Sequence, residues 1–440
     1  MRFYRVARLA GSVSFGATVL VGAAALAQAP APAPLPVAPQ PLVPALRLSH
    51  EERVALRALE TASRLPDRAA QDAALAAART AVRSNDGRYA LGHYQLEIAR
   101  ARQDVAMASQ AVDAMVSSDK ATGDELASLL VNQAGRAYLE GEFVRAERLL
   151  SRAADAAPDN HTILADTAQV RSQLGSALAR DPRRQAEAQA AYGEAVTMLR
   201  RAIELQRASG QPAPESWYLR ALAMSYDRNI APQGIGVARD LVTVFPSARN
   251  WRDALLAYKQ LTPPDPALDL DIKRLMRAAQ ALAGERDYLD YVEVLRPAPA
   301  GAGLAGERKA VLEEGVSRGM LDASEPRVRQ QTTEINRQAT AERTALGRRR
   351  TEALAAATGA PARAAADALF GSGQYAEAAE LYQAALQKGG EDANLVNTRL
   401  GAALALAGRR AEAEAAFRAV TGPRADLAGF WLAWLARRPV

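Results

Sequence analysis

The 440-residue sequence contains no cysteine. That excludes structural disulfides, thiolate zinc sites and cysteine nucleophiles, and leaves no residue for the cysteine-linked lipid of a bacterial lipoprotein. Histidine is nearly as scarce, with His50, His93 and His161 far apart. Aromatic residues make up 5% although apolar residues make up 49%, so alanine and leucine must build most of the interior. Alternating β-branched runs, the mark of sheet, are missing, and Ala, Arg and Glu lose little rotamer freedom in a helix. An all-α class follows. Lysine occurs only at Lys120, Lys259, Lys273, Lys309 and Lys388, an arginine bias that reflects genome composition rather than recognition chemistry. The formal charge of +6 drops to +3 once the three arginines of the N-terminal segment are set aside. So mild an excess argues against a dedicated nucleic-acid partner.

That segment has three parts. Arg2, Arg5 and Arg8 form a positive stretch, an apolar run follows from Leu9 to Leu26, and Ala25-Leu26-Ala27 is a small-x-small cleavage pattern. Residues 1–27 are therefore expected to be a signal peptide, and the mature protein to be exported, soluble and periplasmic in a two-membrane cell. The competing reading is an uncleaved membrane tether. Gly11, Ser12, Ser14, Gly16 and Gly22 weaken it by diluting the apolar run. Residues 28–48 read as a disordered linker, because Pro30, Pro32, Pro34, Pro36, Pro39, Pro41 and Pro44 hold it extended. A tether is the simpler account of it than a proline-recognition ligand. No later stretch is apolar enough to span a bilayer.

From Ser49 onward the chain reads as helix after helix, with short Gly, Pro or Asp/Asn punctuation. In the clearest unit, Ser128 to Asn160, Gly135 and Tyr138 lie one turn apart on the first helix. Gly141-Glu142-Phe143 makes the turn, Ala146, Leu150 and Ala153 line the second helix, and Pro158 closes the unit. Small residues let the two helices approach, and the large ones fill the remaining space. These residues resemble the tetratricopeptide repeat (TPR), with a turn one residue short and Ala134 where leucine is usual. Near the C-terminus, Gly373, Ala378 and Tyr382 recur 35 residues later as Gly408, Ala413 and Phe417, with Leu400-Gly401 between them. A final helix from Asp426 to Arg437 carries Phe430, Trp431, Trp434 and Leu435, and is expected to cover the open end of the stack. Trp217 and Trp251 stand 34 residues apart, as do Pro212 and Pro246 before them. These mark degenerate repeats. Met107 to Met115, and Leu275 through Gly284 to Tyr288, read as further hairpins.

The resemblance implies a right-handed α-solenoid. The expected segments are TPR-like hairpins over 49–160, degenerate hairpins over 161–296, a hinge and long charged helix over 297–360, and a TPR pair with its capping helix over 361–440. Within the hinge segment, Ser324 to Ala357 lacks turn signals except Gly347 and reads as a mostly solvated helix separating the C-terminal repeats from the rest. A subdomain boundary is expected near Gly359-Ala360-Pro361.

Motifs for chemistry fail on spacing. His50-Glu51-Glu52 begins like a zinc-protease helix, but Val54 holds the second histidine's place. Asp265, Asp269 and Asp271 lack the glycine and terminal glutamate of a calcium loop, so helix N-capping is the better account. No phosphate loop or Gly-x-Ser-x-Gly elbow occurs beyond the leader. The expectation is a non-enzyme with no catalytic residue, metal or cofactor. Arg348-Arg349-Arg350 could grip anionic polymer or an acidic partner, but Glu325, Glu334, Glu342 and Glu352 on the same helix favour a solvated salt-bridged face.

In a TPR array the first helix of each hairpin lines a concave groove. Carried onto matching positions, the resemblance places Asn132, Arg136 and Leu139 on that groove in the clear unit. Tyr218, Leu222 and Arg252 take the same place in the central ones. The carboxylate-clamping set of one TPR subset is not found. The expected function is an envelope scaffold binding one or more proteins or peptides; the alternative is an accessory of exopolysaccharide secretion that binds acidic polymer directly.

Overall fold

The computed structural model describes residues 46–296 and 304–437. Residues 1–45, where the signal peptide and most of the linker are expected, residues 297–303 of the expected hinge, and residues 438–440 lie outside them. Every regular element among the described residues is helical, and the chain divides into two compact units that meet at Ala213 and Pro214.

The first unit holds α1 (His50–Ser63), α2 (Arg68–Ala81), α3 (Asn85–Arg102), α4 (Val105–Ser117), α5 (Gly123–Leu139), α6 (Phe143–Ala156), α7 (His161–Leu178) and α8 (Gln185–Ala208). Short polar side chains set where these helices start. Ser49 and Glu52 form a reciprocal capping box at α1, and Asp67, Ser84, Asp104 and Asn160 each cap the helix that follows. Sequential helices pack in pairs. Ala127, Leu130, Ala134 and Ala137 of α5 meet Ala146, Leu150 and Ala153 of α6 in one buried cluster. Ala134 is fully buried in that cluster. Gly141 turns the chain at φ 79°, a conformation that glycine adopts without strain. The rings of Tyr138 and Phe143 lie 5.9 Å apart and pack on Leu174, Leu178 and Ala188 of the next hairpin. Ile163 and Val170 of α7 complete the α5–α6 core, so no break follows Asn160.

Residues 46–48 do not belong to a disordered linker. Leu46 and Leu48 pack against buried clusters, and the Arg47 amide donates to Asp86 at 2.6 Å. Their apolar side chains were hidden behind the proline run that precedes them.

The second unit begins with α9 (Glu215–Arg228), α10 (Ala231–Val244), α11 (Ala248–Leu261), α12 (Pro266–Ala278), α13 (Glu285–Val294) and α14 (Ala305–Ser317). It continues with α15 (Pro326–Ala355), α16 (Gly359–Gly371), α17 (Tyr375–Lys388), α18 (Ala393–Leu406), α19 (Arg410–Arg418) and α20 (Ala425–Leu435). The α16–α17 and α18–α19 hairpins keep the register of the 35-residue repeat: Gly373 and Gly408 turn at φ 77° and 80°. At Gly401 an added Cβ would sit 2.5 Å from the Phe417 ring. A side chain at that crossing would force the ring to shift.

Two expectations about this unit need correction. Helix α20 does not cover an open end. Phe430 packs on Trp251 and Tyr258 of α11 at 6.4 and 5.4 Å, while Trp431 stacks on Phe417 of α19 at 5.8 Å. One short helix therefore joins the last hairpin to the beginning of the unit. Nor does α15 separate the C-terminal repeats from the rest. Its stripe of Val328, Ile335, Ala339, Leu346 and Ala353 is buried, and α14 also meets α16 directly, with an added Cβ at Gly371 only 2.7 Å from the Glu307 Cβ. No division falls at Gly359-Ala360-Pro361, because Arg350 of α15 pairs with Glu380 of α17 and Lys388 donates to the Leu354 and Ala356 carbonyls. Such a stripe, thinly spread over 30 residues of polar sequence, is hard to read as a packing face.

Candidate ligand cleft and its buried ion network

Helix α12 is buried from Leu270 to Met276 without interruption. A helix enclosed on all faces normally carries apolar residues throughout, yet this one carries Asp271, Lys273 and Arg274. Their partners come from the surrounding helices. Arg274 forks onto Glu307 of α14, and its Nη1 lies 3.6 Å from Asp271 and 3.5 Å from Asp367 of α16. Arg399 of α18 bridges Asp271 and Asp367 at 2.9 and 2.7 Å. Arg424, in the short 3-10 turn before α20, donates to Asp271 at 2.7 Å. The hydroxyls of Tyr291 and Tyr382 donate to Glu307 and Asp367 at 2.7 and 2.6 Å.

Three arginines thus face three carboxylates, each group nearly removed from solvent. Isolated burial costs several kcal/mol per ion, which only multiple charge-assisted contacts offset. Burial pushes the Asp367 pKa up, but Arg399, Arg274 and the Tyr382 hydroxyl outweigh it and hold the carboxyl below its ordinary range. Burial, reinforced by the adjacent carboxylates, raises the Tyr291 and Tyr382 pKa values well above the usual tyrosine value. The network is a charged mortar between α12 and the helices around it.

At the C-terminal end of α12 the network opens into a cleft of about 520 Å³. Arg274, Arg277, Arg318, Glu307 and Glu314 supply its charge, and Tyr291, Phe370, Tyr375, Leu406 and Trp434 its apolar wall. Phe370 lies under the Arg274 guanidinium at 4.4 Å. The Tyr375 ring meets Phe370 edge-on at 5.2 Å, and Trp434 donates its indole N–H to the Ala278 carbonyl at 3.1 Å. Glu314 accepts from Arg277 Nε at 2.6 Å and from the Tyr288 hydroxyl at 3.1 Å, with Arg318 at 3.6 Å. Burial raises the Tyr375 pKa.

The sequence-derived groove residues divide. In the first unit Asn132 is half-buried, Arg136 pairs with Asp113, and Leu139 is 55% exposed. In the second unit Tyr218 and Leu222 are buried, with the Tyr218 ring 5.7 Å from Phe245. They are core residues and present no surface to a groove. Arg252 forms a two-pronged pair with Asp287 at 3.0 Å on both prongs. Of the arginine triplet, Arg348 pairs with Glu352 and Arg350 with Glu380 of α17, and Arg349 lines a smaller hollow beside Pro361. Asp265 caps α12 as expected and Asp269 pairs with Lys259, but Asp271 belongs to the buried network. Sequence reasoning missed this network. Its one local signal was the charged residues set among Leu268, Leu270, Ile272, Leu275 and Met276.

Among the described residues no group of three or more His, Cys, Asp or Glu side chains could hold a metal ion, and no helix is long and apolar enough to cross a membrane. No protein-family model matches the sequence, and no curated protein matches it. The chain is similar to one in a solved structure described as "Structure of Naa15/Naa10 bound to HypK-THB", at 12% identity and a TM-score of 0.24. The match covers 86% of this chain but 58% of that one, so this chain spans a little over half the length of its structural neighbour. At that TM-score the likeness carries no argument about activity or partners.

Proposed function

We propose that the protein is a non-enzymatic scaffold of TPR-type helical hairpins that binds another protein in the cell envelope. The observation that carries this reading is the 35-residue register of α16–α19, with Gly401 fitted under Phe417. Stacked hairpins of this kind expose surfaces of fixed shape and have no need of a reactive centre. The arrangement of charge around α12 agrees with it. Asp271, Glu307 and Asp367, the carboxylates best placed for acid–base work, are each fastened to arginine. The exported location rests on the leader pattern of residues 1–27, and the right-handed sense of the stack on the TPR resemblance.

Direct binding of acidic polymer through Arg348, Arg349 and Arg350 is the weaker reading, since two of the three are paired with glutamate. The test is a pull-down from envelope extract with the full chain, using photo-crosslinkers at Leu139 and at Gln280, an exposed residue on the cleft lining. Reproducible capture of one protein supports the scaffold. Capture of none, or hydrolytic turnover by the purified chain, overturns it.

A further inference from the structure

We infer that the cleft at the C-terminal end of α12 is a receptor for an acidic peptide, one that presents a carboxylate beside an apolar side chain. The inference rests on the scaffold reading and names the chemistry of the partner.

The argument is a census of hydrogen-bonding capacity. The two carboxylates that line the cleft are occupied. Glu307 accepts from Arg274 twice and from Tyr291, and Glu314 accepts from Arg277 and Tyr288. The Arg277 and Arg318 guanidinium groups are only partly occupied. Arg277 uses Nε alone and Arg318 uses Nη1 alone for the Tyr288 hydroxyl, whereas Arg274 is committed to Glu307 and to the buried carboxylates behind it. The Tyr375 hydroxyl also has no partner among the described residues, although it stands among Arg277, Arg274, Glu307 and Glu314. A site whose carboxylates are already paired with arginine and whose remaining donors are unfilled is matched by a ligand that accepts. Three arginines against two glutamates leave the lining with a formal excess of one positive charge, so that acceptor should be an anion.

The walls settle what carries the anion. Phe370, Tyr375, Leu406 and Trp434 give the cleft an apolar side next to the arginines. Its volume of about 520 Å³ is within the range of small-ligand sites, and admits one or two amino-acid side chains. A sugar-acid polymer would need an extended row of exposed cations instead. Asp or Glu next to Leu or Phe satisfies both halves of the cleft. The helix terminus itself favours cations, but the Trp434 indole already satisfies the Ala278 carbonyl there.

Fluorescence polarisation on the full chain tests this, using a labelled pool of pentapeptides that alternate aspartate with leucine or phenylalanine. Two comparators are the same pool with asparagine for aspartate, and unlabelled polygalacturonate fragments as competitor. The acidic pool should bind at least about tenfold more tightly than the amide pool, and Arg277→Gln should lose about tenfold in affinity. Tyr375→Phe removes only an oxygen and should lose about two- to fivefold. It carries the test if Arg277→Gln fails to fold. Equal binding of the two pools, no binding of either, or unchanged affinity in the variants overturns the proposal. So does displacement by polygalacturonate at lower concentration than by unlabelled acidic peptide. If crosslinked capture of a protein survives Arg277→Gln while the peptide arm fails, the scaffold reading stands and the cleft assignment falls.

Discussion

Arg274 and Glu307 form a two-pronged ion pair across α12 and α14, Nε to Oε1 at 3.0 Å and Nη2 to Oε2 at 2.7 Å, with both side chains almost wholly buried. Removing one partner strands the other charge in the interior. Glu307→Ala should therefore destabilise the second unit by about 3–5 kcal/mol, read by denaturant unfolding followed through tryptophan fluorescence, since all four tryptophans lie in that unit. The double change Arg274→Met with Glu307→Leu removes one charge of each sign. Arg399 would still hold Asp271 and Asp367 together. The double variant should be less destabilised than Glu307→Ala alone, and a loss equal to or larger than that of the single change would show that this pair is not the source of the penalty.

Glycines in two neighbouring contexts should respond oppositely to the same substitution. At Gly401 an added methyl would meet the Phe417 ring at 2.5 Å, an overpacking that costs roughly 1–3 kcal/mol. At Gly347, within α15, an added Cβ meets nothing within 4 Å. Gly347→Ala should instead stabilise by roughly 0.5–1 kcal/mol, because alanine loses less backbone freedom in a helix. Thermal melts of the two variants check the signs. Equal destabilisation by both would mean that the crossing at Gly401 is not the tight one.

The contrast explains what was legible in the sequence. Local relationships were open to reading: the Asp265 cap and the Gly141 turn each lie within a few residues, and the 35-residue register links consecutive helices. Relationships between distant helices were not. Tyr218 occupies a position that faces the groove in a TPR array, but Phe245 packs against its ring. Phe430 and Trp431 are adjacent in the sequence and were expected to cap one end, yet they pack on α11 and α19 respectively. Asp271 pairs with Arg399 and Arg424, residues separated from it by 128 and 153 positions. No period or motif in a single sequence encodes such pairings, so the cleft came into view only with the fold.

Acid stability should carry a signature of Glu52 at the start of the first unit. Its carboxylate accepts backbone N–H donations from Ser49, Arg83 and Ser84 at 2.8, 2.9 and 2.8 Å, tying α1 to the α2–α3 connection. Burial pushes its pKa up, but these donations outweigh burial and hold it at about 2, against an ordinary value of 4.5. A folded-state pKa below the unfolded one means that the unfolded chain takes up the proton first. Glu52 therefore contributes its full stabilisation above about pH 4.5, and loses it as the pH falls towards 2. Urea unfolding of the parent chain and Glu52→Gln, followed by helical circular dichroism from pH 7 down to pH 2.5, isolates this residue because the other carboxylates are common to both. The parent should be the more stable at neutral pH, and the gap should narrow steadily below pH 4.5. A gap that stays constant across that interval would show that the ionised carboxylate is not what holds these three amides.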